Sequence, residues 1–92
     1  MTAMAPYYGF AYDQCCLDYL KTLEKKLRRQ IVTKIQQLAA DPHPPTAKVV
    51  QGMENGTERV LRIRSGDYRI LYVVRGVIVC VLDIDHRKDV YR

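Results

Sequence analysis

The chain has no apolar run long enough to cross a bilayer, so no membrane-spanning helix is expected. Its first residues, Met1 to Pro6, carry neither a basic segment nor an apolar one, which argues against a secretion signal and for a cytoplasmic protein. There are three cysteines, Cys15, Cys16 and Cys80, an odd count with two adjacent. That excludes a disulfide framework and leaves free, largely buried thiols. No Cys-x-x-Cys or Cys/His spacing suggests zinc. Internal repeats and low-complexity tracts are also lacking, and no glycine or proline falls between Asp13 and Ala40.

What is present is one small domain of 92 residues, 48% hydrophobic and 27% charged, with room for a single core. The formal net charge is +5, which favours an anionic partner. Residues 1–41 carry six Lys/Arg against four Asp/Glu, and residues 42–92 carry nine against six. Any basic patch must therefore be assembled by folding.

Residues 6–12 set Tyr8, Phe10 and Tyr12 in alternation, a strand that lays its rings on helices. Asp13 is suited to cap a helix. Leu17, Leu20, Leu23, Leu27, Ile31, Ile35 and Leu38 then recur at three- and four-residue steps, an amphipathic stripe. One unbroken helix over this stretch, about 40 Å long, is too long for so small a domain. A break near Lys21 to Glu24 is expected, with Thr22 capping the second helix. Asp41-Pro42-His43-Pro44-Pro45 ends it. His43 has no nucleophile or acid nearby in sequence and reads as a loop histidine. Residues 46–56 read as a connector containing Lys48, with a turn at Asn55-Gly56. Three hairpin-linked strands follow: Arg59 to Arg64, Tyr68 to Val74, and the continuous apolar run Val77 to Leu82, suited to a central position. The turns fall at Ser65-Gly66-Asp67 and Arg75-Gly76. The expected architecture is α+β, in the order β-α-α-β-β-β, with a helical hairpin on one face of an antiparallel sheet. On the strand from Arg59, Leu61 and Ile63 share one face, and Val60, Arg62 and Arg64 the other. Arginines side by side on a strand make a poor core and a good anion cradle.

Arg62-Ile63-Arg64-Ser65-Gly66-Asp67-Tyr68-Arg69-Ile70-Leu71-Tyr72 and Asp85-His86-Arg87-Lys88-Asp89-Val90-Tyr91-Arg92 resemble the RelE branch of the RelE/ParE toxin superfamily. The order of elements agrees over nearly the whole chain. The resemblance implies a toxin of a type II toxin–antitoxin pair: an endoribonuclease that binds the ribosomal A site, cleaves the mRNA there and is held inactive, in a hetero-oligomer, by a cognate antitoxin. It implies no cofactor and no membrane. Toxins of this branch often carry a C-terminal helix beyond the tyrosine. One residue follows Tyr91, so displacement of such a helix is not expected, and an antitoxin covering the basic face is.

RNA carries its own nucleophile, the 2′-hydroxyl. An enzyme must align it, take its proton, stabilise the phosphorane and protonate the 5′-oxygen. Arginine meets phosphate oxygens bidentately and keeps its proton. Arg69 and Arg87 match the family's phosphate-stabilising arginines, and Tyr91 its C-terminal tyrosine. Arg62 takes the place of one of the family's two strand lysines and Val60 that of the other. That departure leaves the general base open between His86, whose ordinary pKa lies near neutrality, and Tyr91 lowered by neighbouring arginines. The expected catalytic set is therefore Arg62, Arg69, Arg87, Tyr91 and His86. Arg64, Lys48, Lys25, Lys26, Arg28, Arg29 and Lys88 are expected to contact RNA. A rival reading places a divalent cation on Asp83, Asp85 and His86. A rival function is non-nucleolytic inhibition of DNA gyrase, as in ParE-type toxins, and a third is RNA binding without turnover.

Overall fold

The computed structural model describes residues 8–55 and 58–86. Strand β1 (Gly9–Tyr12) leads into helices α1 (Gln14–Lys21) and α2 (Lys25–Gln36), the latter prolonged by a 3-10 turn over Gln37–Ala39. Strands β2 (Lys48–Asn55), β3 (Glu58–Ser65), β4 (Tyr68–Arg75) and β5 (Ile78–His86) follow. They form one sheet in the order β1-β5-β4-β3-β2.

The helical hairpin breaks where the sequence indicated, but Thr22 closes α1 instead of opening α2. Its hydroxyl donates to the Tyr19 carbonyl at 2.6 Å, and Glu24 occupies the cap position of α2. A hydroxyl one residue past a helix reaches back to a terminal carbonyl that lacks an intrahelical donor. Asp13 stands at the N-cap of α1 without a side-chain cap bond. Along the stripe, Leu20, Ile31, Ile35 and Leu38 are buried, whereas Leu17 is 38% exposed and Cys16 fills the core in its place. The Cys16 thiol reaches the Val81 carbonyl at 3.6 Å, and burial first, then the adjacent Cys15, push its pKa up to about 12. All three cysteines are free.

The sheet differs from expectation in two respects. Residues 48–55, read as a connector, form an edge strand whose pairing with β3 shifts between Val49 and Glu54. Gly52 there has φ +78°, a backbone form that breaks the two-residue period by which strands are recognised. The sheet is also mixed: β1 runs parallel to β5, Gly9 donating to the Val77 carbonyl at 2.8 Å and Asp13 to Val81 at 3.0 Å. The long connection that a parallel pairing needs is supplied by the helical hairpin together with β2, β3 and β4, all of which lie between β1 and β5 in sequence. The β3–β4 and β4–β5 turns carry positive φ only on their first central residue, Gly66 (+60°) and Gly76 (+56°), as type II′ hairpins require.

The core lies between the helices and one sheet face. Ile63, Ile70, Tyr72, Val79, Val81 and Ile84 meet Cys16, Leu20, Ile31, Ile35 and Leu38, with Tyr8, Phe10 and Tyr12 against them as anticipated. Fully burying one such aliphatic side chain stabilises the fold by about 1.5–3 kcal/mol. The buried Tyr72 hydroxyl donates to the Pro42 carbonyl at 2.8 Å and pins the proline-rich loop to the sheet. His43 lies in that loop, exposed, its amide bonded to the Asp41 carboxylate at 3.0 Å. The outer sheet face carries a second apolar cluster of Val60, Leu71 and Val73, with Val50, Cys80 and Leu82 around it.

Candidate nucleic-acid interface

Strand alternation in β3 turns Leu61 and Ile63 to the helices and Val60, Arg62 and Arg64 outward. Register extends these positions into rows. Lys48 of β2 faces Arg62, Arg62 faces Leu71 of β4, and Leu71 faces Asp83 of β5. In the next row Arg64 faces Arg69, which faces Asp85. The outer face thus grades from cationic at β2 and β3 to acidic at β5.

The cationic end opens into a cleft of about 350 Å³ lined by Lys34, Thr46, Lys48, Arg62 and Arg64. Strand β2 begins opposite Arg62, so the end of β3 that carries Arg64 has no strand on its β2 side. Lys34 of α2 joins the cleft around that open edge. Four cations without an acid among the described lining residues repel one another, and a polyanion relieves the repulsion. Lys48, Arg62 and Arg64 were expected from the sequence. Lys34 and Thr46 were not, although Lys34 adjoins Ile35, at the border of the apolar stripe, where a long side chain can reach past the helix.

Arg69 shares the outer face. Its Nε donates to Asp85 Oδ1 at 3.4 Å, both side chains about a quarter exposed. Beside them the Asp83 carboxyl titrates above its ordinary value, through burial and then the charge of Asp85, opposed in part by Arg69. Val60, at the position of the second family lysine, is 1% exposed within the outer apolar cluster.

His86 is not part of this face. It pairs in register with Tyr68 on the helix side, the rings edge-to-face with centroids 4.9 Å apart. Tyr68 in turn meets Tyr19 at 6.5 Å. Leu27, Gln30 and the Ser65–Asp67 turn share a hollow of about 310 Å³ with His86. A base acting beside Arg62 and Arg69 would have to sit across the sheet from where His86 lies, so its expected role is not supported. The cause is a bulge. Pairing shifts between Tyr72↔Val81 and Leu71↔Asp83, which sends Ile84 and His86 to the helices and leaves Asp83 and Asp85 outside. The metal reading fails on the same geometry, since Asp83 and Asp85 face away from His86 and no group of three candidate ligands forms among the described residues.

Lys25, Lys26 and Arg29 line a broad groove with Gln30 and Thr33 on the exposed side of α2. Arg28 does not line this groove and is half-buried. Arg87, Lys88 and Tyr91 lie outside the described residues. Among the described residues no helix is long and apolar enough to cross a membrane.

Comparison with known proteins agrees with this architecture. The RelE–RelB complex of Pyrococcus horikoshii superposes with a TM-score of 0.74 at 23% identity, covering 88% of this chain and 96% of the matched one. The toxin–antitoxin complex RelBE2 of Mycobacterium tuberculosis gives 0.72 at 23%, covering 88% and 99%. The intact RelBE complex of E. coli gives 0.67 at 25%, covering 86% and 95%. A search of curated proteins finds no match. The family model described as the ParE toxin of type II toxin–antitoxin systems matches residues 15–91. The chain therefore belongs to the ParE toxin family, within the RelE/ParE superfamily, and is a toxin of a type II toxin–antitoxin system.

Proposed function

We propose that this toxin is a ribosome-dependent, metal-independent endoribonuclease that cuts mRNA in the A site and so arrests translation. The observation that carries the reading is the cleft of Lys34, Lys48, Arg62 and Arg64, continued across the sheet by Arg69. A row of cations along a cleft suits the phosphate backbone of a single strand. In the cleavage step the 2′-hydroxyl attacks the adjacent phosphorus, its proton passes to a base, and the 5′-oxygen leaves with a proton. The product is a 2′,3′-cyclic phosphate. Arg62 and Arg64 hold the phosphodiester. Arg69, with Arg87 from the matching C-terminal motif, meets the charge that grows on the phosphorane oxygens. With His86 across the sheet, the base falls to Tyr91, Lys88 or ribosomal RNA. A cognate antitoxin with an acidic segment would silence the toxin by covering the cationic face, as part of a hetero-oligomer.

Primer extension on translating ribosomes tests the reading. Codon-phased cuts are expected with the wild type. Loss of cutting and of growth arrest is expected with Arg69→Ala/Arg87→Ala, with the variant still folded by circular dichroism. Full toxicity of that double variant refutes the site. The ParE family match, and the loss of both strand lysines to a buried Val60 and to Arg62, favour inhibition of DNA gyrase as the second reading. Intact mRNA together with trapped gyrase–DNA complexes would establish it.

A further inference from the structure

We propose that Asp85 is a positioning residue that holds the Arg69 guanidinium ready for the scissile phosphate. The inference rests on the ribonuclease reading above and adds to it a residue on the acidic side of the face. Register alone sets Arg69 between two charges, Arg64 of β3 on one side and Asp85 of β5 on the other. The like charge of Arg64 drives the guanidinium toward β5, and Asp85 receives it at 3.4 Å. The nitrogen engaged is Nε, on the stem side of the fork. Among the described residues the contact engages Nε and neither terminal amino group, and in this proposal the two terminal groups meet the phosphate oxygens. An arginine fixed this way before substrate arrives loses less freedom on binding than one free in solvent.

Among the described residues Asp83, two residues back on β5, and Arg62, in the neighbouring row, share the face with the pair. Burial, and then the charge of Asp85, raise the Asp83 carboxyl above the ordinary value, with Arg69 acting in the opposite sense. The bulge at Leu82 is what makes the arrangement possible. An unbroken alternation from Val81 would turn Asp83 and Asp85 to the helices and strand Arg69 between Arg64 and an apolar neighbour.

The test is single-turnover mRNA cleavage on programmed ribosomes, combined with the Arg69 Nε–H signal by NMR. Asp85→Ala is expected to slow cleavage roughly tenfold or more, in line with the cost of a displaced catalytic group. Ribosome binding is expected to stay within about twofold, since the cleft cations are untouched. Asp85→Asn, which keeps an acceptor oxygen, recovers most of the rate. In an Arg69→Lys background Asp85→Ala adds no further loss. The Nε–H signal moves to that of a free arginine in Asp85→Ala. An unchanged rate, or equal losses in both backgrounds, overturns the role of Asp85 while leaving the ribonuclease reading intact. A wild-type protein that leaves mRNA uncut refutes the ribonuclease reading instead. In that case an Nε–H signal indifferent to Asp85→Ala removes the positioning contact as well.

Discussion

The cationic cleft makes a quantitative prediction about salt. Lys34, Lys48, Arg62 and Arg64 line it together, and if each neutralises one phosphate of a single strand, binding releases four counterions' worth of charge. The slope of log K against log salt from the cleft is then about −0.7 × 4, or about −2.8. Raising salt fourfold, from about 50 to 200 mM, weakens binding by about fiftyfold. Arg62→Ala/Arg64→Ala leaves two cations, a slope near −1.4 and about a sevenfold loss over the same range. Neither arginine is fully buried, and Val60 and Ile63 beside them stay in their clusters, so the double variant should keep its fold. Fluorescence anisotropy with a labelled unstructured RNA reads both slopes. Other basic residues add equally to both and cancel in the difference. A change in slope of less than about 0.7, the share of one cation, refutes the claim that these arginines meet the backbone.

Tyr72→Phe deprives the buried Pro42 carbonyl of its donor. A cost of about 1–2 kcal/mol should lower the melting temperature by roughly 5–10 °C, and an unchanged melt refutes it. Because burial and Asp85 raise the Asp83 carboxyl above its ordinary 3.8, the folded chain holds that proton more tightly than the unfolded chain. Ionisation of Asp83 therefore weakens the fold as pH rises through and above 3.8. Asp83→Asn should melt higher than wild type at neutral pH, with the gain vanishing well below 3.8; a pH-independent difference contradicts the sign. Cys16, pushed up to about 12, has a thiolate fraction of about one in ten thousand at pH 8. Mass mapping after native alkylation should find the exposed Cys15 modified and Cys16 protected until the chain unfolds.

The helices were legible because apolar residues at three- and four-residue steps admit few alternatives, and the hairpins because Gly66 and Gly76 mark positive φ. Strand β2 was not, since Gly52 and the shift between Val49 and Glu54 erase its alternation. Nor was the parallel pairing of β1, whose partner β5 follows only after both helices and three further strands. In the site, Arg62 and Arg64 follow from alternation, whereas Lys48, read as part of a connector, is placed opposite Arg62 only by the register of β2. Lys34 does not follow from alternation either, because it meets them only around an open sheet edge. His86 shows how one residue misleads. Counting from Val79 and Val81 places it outward, and the single bulge at Leu82 reverses every position after it.

Strand β5 is the last of these elements to be synthesised, yet it lies between β1 and β4. Until it emerges, β1 has no partner, and closing Gly9 against Ile78 spans most of the chain. A contact of such sequence separation forms slowly. Arg69 likewise has no Asp85 to hold it until then. A nascent toxin with α1, α2, β3 and β4 already outside the ribosome would still lack its finished face. Strand order thus withholds the finished cationic-to-acidic face until β5 has been made and inserted between β1 and β4.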